Sequence, residues 1–121
     1  MRKLKILIAD DEPHARNLLG ILVNDYCNEI IYAKTGTEAV ALCIKYPEID
    51  IVLIDKRMPE MEGFEAAGMI RGFNKNVIII VLSAYHSEAD NVRLKDSGCN
   101  DFLFKPVERD SLNRLIKQYF E

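Results

Sequence analysis

The sequence predicts an α/β fold: one doubly wound sheet of five parallel strands, with five helices packed on its two faces. Three observations carry that expectation. Short apolar runs recur five times along the 121 residues, and a stretch with helical spacing follows each. The runs at 4–9, 49–54 and 77–82 are also apolar almost without interruption, rather than on alternate residues. Strands buried on both faces read that way, and strands that alternate with helices build parallel sheets.

The first strand is read at 4–9, interrupted only by Lys5 near its start. Pro13 then suits the first position of a helix, with Ala15, Leu18, Leu19, Leu22 and Tyr26 along one stripe. Residues 29–33 form the second strand. Gly36 turns the chain into a helix bearing Ala39, Leu42, Cys43 and Tyr46, stopped by Pro47. The third strand, 49–54, runs into a loop punctuated by Pro59 and Gly63, and a third helix follows at 64–72 with Ala67 and Ile70 inward. The fourth strand, 77–82, is the purest β-branched run and belongs inside the sheet. A helix over 87–97 ends at Gly98, a suitable C-cap. The fifth strand covers 101–104, and Leu112, Leu115, Ile116 and Tyr119 give the last helix its i, i+3, i+4, i+7 stripe.

Length and the absence of linkers or repeats predict a single domain over 1–121. A formal net charge of −3 gives no case for binding nucleic acid through bulk basicity. No apolar stretch is long enough to span a bilayer, and Met1-Arg2-Lys3-Leu4-Lys5 lacks the apolar core of a signal peptide. Cys27, Cys43 and Cys99 are scattered and odd in number, which suits reduced thiols in a cytoplasmic protein.

Reactive groups collect where strands end. Asp10-Asp11 follow the first strand, Asp55 the third, Ser83 the fourth and Lys105 the fifth. In an open parallel sheet these ends converge on one crevice. Asp11 and Asp55 can offer two carboxylates to Mg²⁺, Asp10 a third directly or through water, and the Arg57 backbone carbonyl another oxygen. Asp55 is then the nucleophile, and its attack on phosphorus would give an acyl phosphate. Ser83 and the Ala84 N–H can donate to a phosphoryl oxygen, and Lys105 supplies a flexible positive charge. A cis Lys105–Pro106 bond would aim that lysine inward. Taken singly, each has a plainer reading: a helix-start acidic pair, a turn aspartate, a strand-end serine, an exposed lysine. His14 and His86 have no partners at metal or triad spacing and read as helix-start surface. Met58 and Met61 are expected to pack beneath the loop.

Taken together, Ile8-Ala9-Asp10-Asp11-Glu12-Pro13, Asp55 with Met58-Pro59 and Gly63, Ser83-Ala84, and Lys105-Pro106 resemble the receiver domain of two-component response regulators. The resemblance covers essentially the whole chain. It implies a flavodoxin-like sheet in order 2-1-3-4-5, with the first and fifth helices on one face and the second to fourth on the other. It implies Mg²⁺-dependent transfer of a phosphoryl group from a phosphohistidine, on a sensor histidine kinase or histidine phosphotransfer domain, to Asp55. It also implies self-catalysed dephosphorylation, a phosphoacceptor rather than an ordinary enzyme. Ser83 and Phe102 would act as the switch, reshaping the face built from the fourth helix, fifth strand and fifth helix. A homodimer through that face is compatible with the resemblance; direct nucleic-acid binding and membrane insertion are not expected. Phe102 stands where many receivers carry a tyrosine, while Arg57, Ala84 and Tyr85 flank the acceptor and modulate access. The segments at 70–75 and 98–102 resemble receivers carried by hybrid sensor kinases, which suggests a phosphorelay role rather than a transcription factor's input domain.

Two other kinds of reading compete, an interaction module and an enzyme such as a hydrolase or a flavin binder. A receiver-like module that works without phosphorylation is disfavoured because no site residue is missing. An aspartyl-phosphate hydrolase would need an acid two residues beyond Asp55, where Arg57 stands, and a flavin mononucleotide binder would need a phosphate-cradling loop where Asp10-Asp11-Glu12-Pro13 stands.

Overall fold

The computed structural model describes residues 2–121. Its elements run β1 (Leu4–Ala9), α1 (Pro13–Val23), β2 (Cys27–Ala33), α2 (Gly36–Lys45), β3 (Ile51–Asp55), α3 (Gly63–Phe73), β4 (Ile78–Ser83), α4 (Glu88–Ser97), β5 (Asp101–Phe104) and α5 (Arg109–Phe120). The sheet has the order β2-β1-β3-β4-β5, and every neighbouring pair is parallel. This is the expected order.

Side-chain alternation divides the core in two. Ile6, Ile8, Ile51, Leu53, Ile80 and Leu82 pack against Leu19, Leu22 and Val23 of α1 and Leu112, Leu115 and Ile116 of α5. Leu7, Ala9, Val52, Ile54, Ile79 and Val81 face the other way, onto Ala39, Val40 and Cys43 of α2 and Phe64, Ala67 and Ile70 of α3, with Leu94 of α4 at the edge. Because β1, β3 and β4 are covered on both faces, each of their residues can be apolar. Three of the helices also have a side-chain start signal. Glu12 accepts from the His14 and Ala15 N–H groups ahead of Pro13, Thr35 caps α2, and Ser87 with Asp90 forms a capping box at α4. Gly98 closes α4 at φ +79°.

Several boundaries and facings differ from the expectation. The second strand begins at Cys27, not 29. A bulge lets Leu4 face Cys27 while Lys5 faces Glu29, and Asn28 falls between them, so the polar start of this edge strand has no alternation to read. The third strand begins at Ile51 rather than 49. Asp50 instead uses its carboxylate to accept from the Lys5 N–H and Arg2. On α1, Leu18 is 47% exposed, and Val23 takes the core position beside Leu19 and Leu22. The buried stripe is therefore rotated from the one expected. Tyr26 lies beyond the helix and packs against the α1–α5 side of the core. Leu42 and Tyr46 are only half-buried, and Val40 occupies the inward place on α2.

β1 is flanked by β2 and β3, so successive crossovers depart in opposite directions from its C-terminal end. That divergence opens a crevice at the strand ends, beside Asp10 and Asp55. Among the described residues, no helix is long and apolar enough to cross a membrane.

Candidate functional site

Asp10 leaves β1 fully buried, its N–H on the Ala33 carbonyl at 3.1 Å. One carboxylate oxygen accepts from the Glu12 N–H at 3.0 Å and the other from Lys105 Nζ at 2.7 Å. Asp11, next in the chain, is exposed. Asp55 ends β3 with its side chain 13% exposed and one oxygen 3.3 Å from Lys105 Nζ. One oxygen from each of Asp10, Asp11 and Asp55 lies within 4.8 Å of the others. The chain thus brings all three predicted carboxylates together, with the Lys105 ammonium spanning Asp10 and Asp55. These are hard oxygen donors without nitrogen or sulfur, a set that suits Mg²⁺.

The loop after Asp55 is tied close. The Gly63 N–H bonds the Lys56 carbonyl at 2.8 Å, and a Cβ on Gly63 would stand 2.5 Å from the Asp55 carbonyl. Only glycine lets α3 start this near the aspartate. Met58 and Met61 pack partly buried against the α2–α3 side of the core, as expected. The Lys105–Pro106 bond is cis, and the Lys105 N–H donates to the Ser83 carbonyl at 2.9 Å.

Electrostatics set Asp55 apart from an ordinary aspartate. Burial raises its pKa, and the charge of Asp10 adds to the rise. Lys105 and a hydrogen bond from the Arg57 N–H oppose it without cancelling it. Burial lowers the Lys105 pKa, but the hydrogen bond to Asp10 and the charge of Asp55 more than offset this, so its ammonium sits above the ordinary value.

Ser83 is buried beside this cluster, in the wall of a cleft of about 400 Å³ lined by Asp55, Arg57, Ser83, Ala84, Tyr85 and Lys105. Its hydroxyl, however, is turned into its own loop. It donates to the Tyr85 carbonyl and accepts from the Tyr85 N–H at 3.1 Å. Arg57, Ala84 and Tyr85 are exposed around the mouth.

Two features beside the site have no counterpart in the sequence reading. His86, expected as surface, is half-buried, its ring stacked on Phe102 with centroids 3.7 Å apart and planes 2° apart. Phe102 also meets Phe104 edge to face at 5.1 Å. The second is an ion pair. Lys56, the residue after Asp55, reaches Asp90 of α4 at 2.6 Å, with both side chains almost wholly buried, at 10% and 5% exposure. The Ser-x-x-Asp spacing at 87–90 could have marked Asp90 as a capping residue, and strand alternation could have set Lys56 opposite Asp55. Nothing in the pattern said that the two would meet. Together with the Ser87 N–H, Lys56 holds the Asp90 carboxyl below the usual aspartate range.

Comparison with known proteins decides the family. The response regulator receiver domain matches residues 6–117. The chain belongs to that family. This receiver is 37% identical to the uncharacterized 14.6 kDa protein in the sodA1 3' region of Leptolyngbya boryana, over 98% of its own length and 92% of that protein. It superposes with a TM-score of 0.87 and 32% identity on the receiver domain of Ssk1, solved with the histidine phosphotransfer protein Ypd1 from Saccharomyces cerevisiae, covering 98% of this chain and 89% of that one. The receiver domain of the Pseudomonas aeruginosa sensor histidine kinase PA1611, which holds a magnesium ion in its active-site cleft, aligns at 26% identity and TM-score 0.82 over 97% of both chains. Other relatives are longer: the receiver spans 26% of the transcriptional regulatory protein GlrR of Escherichia coli K12 and 13% of the histidine kinase BarA of Shigella flexneri. Receivers of sensor kinases and of transcriptional regulators thus both occur among its relatives.

Proposed function

We propose that this receiver accepts a phosphoryl group on Asp55 from a phosphohistidine of a sensor histidine kinase or a histidine phosphotransfer domain, in the cytoplasm. One observation carries the reading: three carboxylate oxygens gathered within 4.8 Å, with a lysine ammonium on two of their groups. An Asp55 oxygen attacks phosphorus, the phosphorus–nitrogen bond to the donor imidazole breaks, and an acyl phosphate forms. Asp10, Asp11, Asp55 and the Arg57 carbonyl would hold Mg²⁺, which supplies positive charge between nucleophile and phosphoryl oxygens. Lys105 moves from the carboxylates toward the phosphoryl oxygens, and the Ser83 hydroxyl turns from Tyr85 to donate to one of them. The Ala84 N–H adds a backbone donor, and Arg57 and Tyr85 at the mouth control the approach of water.

The test is intact-mass analysis after incubation with a phosphorylated histidine phosphotransfer protein or acetyl phosphate, with and without Mg²⁺. A single phosphate that requires Mg²⁺ and is missing from Asp55→Asn is the expected result. A wild-type chain that stays unmodified by either donor would overturn the proposal and favour a phosphorylation-independent interaction module.

A further inference from the structure

Switching in this receiver has to move a hydroxyl that is already committed. A serine has one O–H to donate, and that of Ser83 goes to the Tyr85 carbonyl. The same carbonyl lies 3.5 Å from the ammonium of Lys56, whose stronger bond is to Asp90 at 2.6 Å. Asp90 in turn accepts from the Ser87 N–H at 3.0 Å, and Ser87 caps α4. The chain 83–90 is therefore fastened at both ends of its loop to one side chain, and that side chain leaves the backbone immediately after the acceptor aspartate.

We infer that Lys56 is a positioning residue, a latch holding the β4–α4 loop and the first turn of α4 in the resting arrangement, so that its ion pair with Asp90 sets how readily the site accepts a phosphoryl group. The inference rests on the phosphoacceptor reading above. Its physics is that of a short, dry ion pair. With both groups almost wholly out of water, an ångström of separation loses attraction that solvent does not replace. A ligand that needs the loop displaced binds less tightly by the free energy of opening the latch. Lys56 does not contact the carboxylate cluster; it acts through Tyr85 and Asp90. A plain charge effect has the opposite sign, because losing a cation beside the site weakens an anionic ligand.

The experiment titrates beryllofluoride, a phosphoryl mimic, into the full chain at saturating Mg²⁺, for wild type, Lys56→Arg, Lys56→Met and the double variant Lys56→Met with Asp90→Asn. The double variant leaves net charge unchanged, keeps an acceptor for the Ser87 N–H, and guards against misfolding caused by a lone buried carboxylate. Mg²⁺ affinity without beryllofluoride serves as the control for an intact carboxylate cluster. A latch predicts that the double variant binds beryllofluoride at least about fivefold more tightly, with Mg²⁺ affinity unchanged and Lys56→Arg close to wild type. Unchanged or weaker beryllofluoride binding in the double variant means that the pair only anchors α4, and the latch is wrong. No beryllofluoride binding by the wild type overturns the phosphoacceptor reading, and the latch falls with it.

Discussion

Asp55 answers two opposed demands. It must be dry enough for an attacking oxygen to be poorly solvated, yet ionised enough to attack. Burial, with Asp10 adding to it, pushes its pKa up and Lys105 pulls back only in part, so the charged carboxylate carries a net cost of being held away from water. Asp55→Asn removes that cost, so the variant should melt at a higher temperature than wild type at neutral pH, while losing all phosphate. Calorimetry and intact mass on the same sample check both. Phe102 makes the second residue-scale prediction. Phe102 is already half-buried against the α2–α3 side of the core, so completing its burial on activation would gain only part of the roughly 1.5–3 kcal/mol of a whole Phe side chain, and a change of rotamer unstacks His86. Phe102→Ala should therefore blunt the beryllofluoride-induced change around the β4–α4 loop more than Phe102→Tyr, as read by amide shifts. The reactive residues were legible because strand ends are marked by apolar runs, and the runs aligned Asp10, Asp55, Ser83 and Lys105. Where each side chain points was not legible. The turn of the Ser83 hydroxyl toward Tyr85 depends on local backbone geometry that no residue pattern encodes.

Among the elements, α4 is the weakly held one. Its only wholly buried residue is Asp90, a charged one, and Leu94 is half-buried. The helix depends instead on polar ties: the Ser87 box at its start, Lys56 inside, and Arg71 bonding the Gly98 carbonyl at 3.0 Å at its end. An element held this way opens at low free energy, which suits one that must move. Acid should loosen it first. The folded-state pKa of Asp90 lies below its unfolded value, chiefly because of the Lys56 hydrogen bond. Its stabilisation is thus complete above the unfolded pKa and is lost as pH falls through the folded one. Hydrogen exchange measured between neutral pH and pH 3 should show α4 amides losing protection before those of β1 and β3. In Asp90→Asn, that protection should be lower at neutral pH and nearly flat across the range. The sequence placed this helix over 87–97 with its glycine stop, yet could not say how it is attached, because ion pairs across the fold leave no periodic trace.

At the scale of the whole molecule, simple patterning indicated five parallel strands with helices on both faces, while the sheet order and the division of helices came from the receiver resemblance. Ile6 and Ile8 against Leu7 and Ala9 feed two separate cores, and α1, α2, α3 and α5 each supply an apolar stripe to one of them. Reading failed where a residue is apolar but outward, as at Leu18, since a helix with apolar residues on more than one side does not announce its facing. Tertiary packing chose Val23 instead. The two-layer core makes the molecule a single cooperative scaffold around the carboxylate cluster, so ligand binding there should be felt throughout. With Mg²⁺ and beryllofluoride at about a hundred times their Kd, the fold should gain about 2.7 kcal/mol. The rise in Tm should disappear on adding a chelator and be absent in Asp55→Asn.

The stack of His86 on Phe102 gives the receiver a built-in magnetic probe. The circulating electrons of the phenyl ring shield protons held against its face, so the imidazole C–H signals of His86 should lie upfield of their ordinary place. The sequence has two histidines, and His14 is exposed at the start of α1, away from any such ring partner among the described residues. A one-dimensional proton spectrum should therefore contain one ordinary imidazole and one displaced imidazole. As Phe102 leaves the stack, the displaced signals should travel toward the ordinary position, and their path would report the fraction switched without any label.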